Sequence, residues 1–289
     1  MKESILSVLA RGENLVGDGA MGTMLQAAGL PAGLMPEAWN AENPEAVREV
    51  HRAYLAAGAQ ILTTNTFGGS RLRLAEAGLA ERTVQLNRLG AALARDVAGA
   101  AWVAGSIGPT GQIMEPYGDL AVERAEEVFA EQVQALVEGG VDLIKIETQH
   151  DVEEACAAVR AARSITQLPI ICSFAFNVKG RTMMGLRAAD AALRAAEAGA
   201  NIVGANCGDG PEAVRVALEA MHAASDLPLL AQANAGIPQA EGGDTIWDVT
   251  PDEMAGHGRI YLSLGARIVS GCCGTNPEFI AAISAVVRG

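Results

Sequence analysis

Cys207, in GANCGDG, and the adjacent Cys272 and Cys273, in SGCCGT, are the residues of this sequence best suited to chemistry. Three thiolates make a soft ligand set for a tetrahedral metal, zinc foremost, and leave the fourth position to water or substrate. Metal with an open position is a catalytic arrangement. A thiol entering it would be deprotonated and kept as a nucleophile near neutral pH. The reaction class that follows is attack by sulfur on an activated methyl group held in line above it. A vicinal disulfide or three small core residues are the plain alternatives for a lone CC dipeptide. Cys207 at the end of a second β-run turns the reading towards metal. Cys156 and Cys172 have no such company and read as core.

For thiols this far apart in sequence to meet, the fold must bring strand ends to one mouth. Eight short β-rich runs do recur between Ala-rich amphipathic stretches: LVGDG from Leu15, ILTTNTF from Ile61, WVAGSIG from Trp102 and DLIKIET from Asp142 come first. PIICSFAF from Pro169, NIVGANC from Asn201, PLLAQANAG from Pro228 and RIVSGCCG from Arg267 follow. Four runs are entered through AAGAQIL, EGGVDLI, EAGANIV and SLGARIV, where a glycine can end the preceding helix in the left-handed conformation. Asn43-Pro44, Thr250-Pro251 and Asn276-Pro277 mark helix starts by a capping side chain before a first-turn proline. Eight β-then-α units predict an α/β fold, a (β/α)8 TIM barrel forming one domain over residues 1–289, with its chemistry at the C-terminal ends of the strands. Neighbouring residues in a regular strand face opposite ways, so Cys272 and Cys273 share a metal only where the strand ends or bulges. Gly271 and Gly274 permit that.

The other polar residues at run ends are Asp18, Asn65, Thr66, Ser106, Glu147, Asn177 and Asn234. Alternation puts Leu143, Lys145 and Glu147 inside the barrel and Ile144 and Ile146 against the helices. A buried Lys145–Glu147 ion pair without chemistry is the plain reading of that face. GDGAMG fits the dinucleotide pattern GxGxxG, but the units that follow do not continue as an open nucleotide-binding sheet, and the reading is rejected. The amides from Gly19 and Ala20 to Gly22 are instead assigned to an amino-acid carboxylate, with Asp18, Glu147 and Asn234 for its ammonium.

Half of the 289 residues are apolar, enough for a large core, and the net charge of -13 with no basic cluster argues against nucleic acid. The N-terminal MKESILSVLARGENL lacks the apolar stretch of a signal peptide, and no run of about 18 apolar residues suggests a membrane span. The expected compartment is the cytoplasm, where the five cysteines stay reduced.

DGAMGT at 18–23, TNTF at 64–67, GANC at 204–207 and GCCGT at 271–275 carry a resemblance across essentially the whole chain to the homocysteine S-methyltransferases. GSIGPTG at 105–111 and QANAGIP from Gln232 make it most similar to the homocysteine-binding module of cobalamin-dependent methionine synthase. The resemblance implies a barrel in which Cys207, Cys272 and Cys273 hold Zn2+, with Asp18, Glu147 and Asn234 around the amino-acid end of homocysteine. The chain ends fourteen residues after Thr275, and none of its four histidines lies in a DxHxxG cobalamin-ligand motif. Methylcobalamin on a separate corrinoid protein, or on a module of a longer protein from which this chain is a part, is therefore the expected methyl donor.

Betaine or S-methylmethionine as direct donor is the alternative, and would call for an aromatic cage. Phe67, Tyr117 and Trp247 are the candidates, Phe67 being read as core and the other two as loop residues. Two readings from other classes are a Schiff-base aldolase using Lys145 and a zinc-stabilised docking module with His150 as fourth ligand. The Gly-rich stretch AGIPQAEGGDTIWD from Ala235 is the candidate for a mobile loop over the mouth.

Overall fold

The β-rich runs become strands in a computed structural model that describes residues 2–289 apart from Ala32, Gly242 and Gly243. In chain order these are β1 (Leu15–Val16), β2 (Ile61–Thr63), β3 (Trp102–Ile107), β4 (Leu143–Gln149), β5 (Ile170–Phe174), β6 (Ile202–Cys207) and β7 (Leu229–Ala233). A hairpin of β8 (Gln239–Glu241) and β9 (Asp244–Ile246) follows, then β10 (Ala266–Gly271). Eight strands form one parallel sheet in the order β1-β10-β7-β6-β5-β4-β3-β2. A parallel bridge between Gly17 and Ile61 brings its two edges together, so the sheet is a nearly closed (β/α)8 TIM barrel.

The helices are α1 (Ile5–Ala10), α2 (Gly22–Ala27), α3 (Trp39–Glu42), α4 (Pro44–Ala56), α5 (Arg71–Ala75), α6 (Thr83–Ala98) and α7 (Val122–Glu138). They continue with α8 (Val152–Ile165), α9 (Ala188–Ala198), α10 (Pro211–Ala224), α11 (Pro251–Ser263) and α12 (Pro277–Arg288). The four glycines expected at helix ends, Gly58, Gly140, Gly199 and Gly265, all have positive φ. Thr250 forms a capping box with Glu253, and Asn276 accepts from Glu278 and Phe279 amides. Asn43 departs from expectation: it precedes α4 without a side-chain cap. Its φ of -143° and ψ of 62° leave Pro44 alone to mark the start.

Strand alternation sorts the core into two parts. Leu15, Ile61, Ala104, Leu143, Ile171, Ile202, Leu230 and Ile268, one from each barrel strand, form an apolar layer inside the barrel, joined by Ile5, Val8 and Leu9 of α1. The opposite faces, Ile144 and Ile146 among them, pack against the helices in a larger cluster. Above the inner layer, two residues further along each strand, the interior turns polar with Thr63, Ser106, Lys145, Ser173, Gln232 and Ser270. The segment from Ala235 is also more ordered in form than a Gly-rich loop: β8 and β9 pair antiparallel, Gln239 opposite Ile246. Gly242 and Gly243 of that stretch lie outside the described residues.

α4 buries Val47, Val50, His51 and Tyr54. His51 is fully buried with no partner for either ring nitrogen among the described residues, and burial lowers its pKa from 6.5 to about 4. Between those values the unfolded chain takes up a proton that the folded chain refuses, so stability is complete above pH 6.5 and declines as pH falls towards 4. Urea denaturation from pH 8 to pH 4 will find the parent losing up to about 3 kcal/mol more than His51→Leu over that window.

Candidate metal and substrate site

β6 and β10 end side by side on either flank of β7 and deliver the three thiols to one place. Cys207 closes β6 with φ at 58°, a left-handed conformation that side chains other than glycine rarely adopt. Cys272 and Cys273 lie just past the end of β10, where Gly274 also has positive φ and a Cβ in its place would run into the ring of Trp247. The three sulfurs lie within 4.8 Å of one another, the spacing of a common metal site, and all five cysteines of the chain are free.

Thiol donors from Cys272 and then Cys273 lower the Cys207 pKa to about 3, while Cys272 is pushed up to about 12 by its place beside Cys207. Cys273 is pushed up as well, by Cys207 and Cys272 beside it. A dication in their midst would favour the thiolate form of all three.

The sulfurs border a cavity of about 500 Å3 that opens at the C-terminal ends of the strands. Gly19, Ala20, Thr66, Ser106 and Glu147, all singled out from sequence, line it together with the three cysteines. Glu147 is 5% exposed; it accepts from Ser106 Oγ at 2.6 Å and Gln232 Nε2 at 3.0 Å, and Lys145 Nζ lies 3.4 Å away. Asp18 is not among the residues lining the cavity: Thr63 occupies both its oxygens, through the amide at 2.6 Å and the hydroxyl at 2.7 Å. Burial raises its pKa to about 6 against the opposing pull of Lys145 and Thr63. Asn234 also stands back from the wall, donating to the Gly208 carbonyl at 3.1 Å and lowering the Cys207 pKa by its hydrogen bond.

Other expectations from sequence fall elsewhere. Asn177 organises the turn after β5, accepting from the amides of Lys179 and Arg181. His150 does not belong to the cysteine group, and its Nδ1 has no partner. Phe67, expected in the core, is 44% exposed and lines the cavity because Gly108 packs beneath its ring. Tyr117 is 81% exposed over a separate hollow, and Trp247 is half-buried against Gly274, so the three aromatics do not form one cage.

Sequence reasoning missed Asn206, although alternation from Ile202 through Gly204 marks it as inward-facing. Its Oδ1 accepts from the Thr148 amide at 2.8 Å and Ser173 Oγ at 2.7 Å, and its Nδ2 donates to Thr148 Oγ1 and faces Cys272 Sγ at 4.0 Å. Thr148, with φ at 60°, is the second left-handed residue of the rim, and Asn206 holds it there. Thr63 and Gln232 were missed as well, and both line the cavity.

With that geometry in view, the family model described as homocysteine S-methyltransferase matches residues 15–287. The chain belongs to the homocysteine S-methyltransferase family. It is 31% identical to methionine synthase of Mycobacterium tuberculosis across 98% of its own length and 30% identical to that of Mycobacterium leprae across 94%. It spans about a quarter of both relatives. The crystal structure of the homocysteine methyltransferase MmuM from Escherichia coli in its metallated form superposes with a TM-score of 0.82 at 27% identity, covering 98% of this chain and 99% of that one. The carboxyl transferase domain of Rhizobium etli pyruvate carboxylase, 16% identical with a TM-score of 0.54, shares the fold alone.

Asn206→Ala would leave the Thr148 amide and the Ser173 hydroxyl without acceptors. A loss of about 2 kcal/mol in thermal or urea unfolding is expected. A roughly tenfold weaker zinc affinity in competition with a chromophoric chelator should accompany it, because Thr148 and Cys272 lose the same support.

Proposed function

We propose that residues 1–289 form a homocysteine-binding barrel that holds Zn2+ on Cys207, Cys272 and Cys273 and transfers a methyl group from a methylcorrinoid on a separate protein or module to the thiol, giving methionine. The convergence of three free sulfurs at the wall of an open cavity carries this reading. The donor set fits zinc: three soft ligands, no fourth His, Cys, Asp or Glu grouped with them among the described residues, and space on the cavity side. Zinc, when bound there, would lower the pKa of a thiol added as fourth ligand and keep it as thiolate near neutral pH.

The chain's own residues do the rest. Asn206 and Asn234 hold the cysteines in place, and the polar floor around Glu147 receives the amino-acid end so that the sulfur points to the cluster. As the carbon–sulfur bond forms, the donor's bond to the methyl carbon breaks, and the thiol proton has already gone to solvent. A large donor is favoured by the rim. Among the described residues, most large apolar side chains left in solvent lie on connections that follow strands, including Phe67, Ile113, Tyr117, Val178, Met183 and Met184. Exposed apolar side chains on those connections suit a macromolecular surface. The direct betaine or S-methylmethionine reading lacks its cage, and the aldolase reading leaves three converging cysteines unexplained. No described helix is long and apolar enough to cross a membrane, and the free cysteines suit the cytoplasm we propose.

Zinc analysis with calorimetric titration of homocysteine, in buffers of different ionisation enthalpy, is expected to give about one zinc per chain and proton release on binding. Cys207→Ala should lose both. Methyl transfer from protein-bound methylcobalamin, with none from betaine, is the outcome that fits the donor assignment. Homocysteine binding of full strength without metal would sink the zinc mechanism.

A further inference from the structure

β7 carries no thiol, yet it stands between the two strands that deliver them. Its last residue, Ala233, is level with Cys207 on one side and with Gly271 on the other. The Ala233 carbonyl accepts from the Cys272 amide at 2.7 Å, and the Ala235 amide donates to the Cys273 carbonyl at 2.9 Å. Both cysteines of the pair are therefore tied by their backbones to the start of the connection that leaves β7. Within the turn, the Cys272 carbonyl accepts from the Thr275 amide at 3.1 Å and from Thr275 Oγ1 at 2.7 Å.

Gly274 is the loose point of that turn. It follows Cys273, has φ at 78°, and makes no backbone hydrogen bond among the described residues. What bears on it is a ring: a Cβ at this position would overlap Cγ, Cδ2 and Cε2 of Trp247, so the half-buried indole lies directly on the glycine backbone. Trp247 comes from the far end of the same β7 connection, just after β9. The base of that excursion is closed by the Val249 amide on the Ala235 carbonyl at 3.0 Å and by the Ile237 amide on Asp248 Oδ1 at 3.2 Å. One connection thus grips the cysteine turn twice, by backbone bonds at its start and by an aromatic face at its end.

We propose that Trp247 is a positioning residue for the metal ligands: its ring, seated on Gly274, keeps the Cys272–Cys273 turn in the conformation that brings both sulfurs to Cys207. The assignment rests on the zinc reading above, since it concerns the hold on that metal. A metal on three thiolates escapes when one of them swings away, and a glycine next to the last ligand supplies the freedom for such a swing. A rigid ring over the glycine removes that freedom without touching metal or substrate, as supports behind metal ligands do.

The test is zinc release to an excess of chromophoric chelator, timed in the parent chain, Trp247→Ala, Trp247→Phe and Ile246→Ala. Urea midpoints are measured for each protein with and without zinc. Release should be roughly tenfold faster or more in Trp247→Ala, and within about threefold of the parent in Trp247→Phe, which keeps an aromatic face over Gly274. Ile246→Ala alters the adjacent hairpin residue, 41% exposed, and should match the parent. A bound metal stabilises the folded chain by the logarithm of its affinity, so the rise in midpoint that zinc gives should be smaller in Trp247→Ala than in the parent. A ring that serves packing alone would lower the midpoints with and without zinc alike and leave release unchanged, and that result overturns the assignment. Release from Trp247→Phe or Ile246→Ala as fast as from Trp247→Ala overturns it too, because the ring's seat would then not be what holds the metal. A parent that binds no zinc defeats the functional reading first, and this one with it.

Discussion

Two carboxylates and an ammonium buried in one barrel, directly above a layer of eight apolar side chains, have to compensate one another. In such surroundings an unmatched charge costs several kcal/mol, whereas a matched and hydrogen-bonded one is tolerated. The barrel meets the condition with small groups from neighbouring strands: Thr63 for Asp18 and Lys145, Ser106 and Gln232 for Glu147. Because these partners stand on strands, the floor of the cavity is rigid and leaves the connections above it free to vary.

The cysteine end of the cavity is held by a different device. Regular strand geometry would send Cys272 and Cys273 to opposite faces, and Cys207 towards its own alternation partner. The chain abandons strand geometry at both points, ending β10 at Gly271 and turning Cys207 left-handed. Each left-handed non-glycine residue costs on the order of 1–3 kcal/mol unless its surroundings fix it. Asn206, between Thr148 and the cysteines, is that fixture. It ties the rim of β4 to the cysteine end, so the two halves of the cavity cannot shift independently.

The barrel was readable because its signals are local and repeated: a glycine before a strand and a proline after a cap need no tertiary knowledge. The cysteines were readable because thiol chemistry is rare and their positions at run ends coincide. Alternation, applied only to β4, found Lys145 and Glu147; the same count along β2, β6 and β7 reaches Thr63, Asn206 and Gln232. Asn234 illustrates the limit, since the count fails one residue past the end of β7, where the chain leaves the strand. Phe67 could not have been placed from sequence, because its exposure depends on Gly108 of the next connection lying under the ring.

The cavity also constrains how a methyl group can arrive. Among the described residues its floor is polar, the cysteines form part of its wall, and it opens at the strand ends. About 500 Å3 is in the range occupied by drug-sized ligands and exceeds what a thiol amino acid fills. On the connections that follow the strands, side chains such as Met183, 79% exposed, and Ile113, 57% exposed, stand in water. Apolar area in water is unfavourable by about 25 cal/mol per Å2, and a small donor entering the cavity would leave those side chains as wet as before. The donor we propose, carried on a surface of its own, would cover side chains of that kind while reaching the cavity.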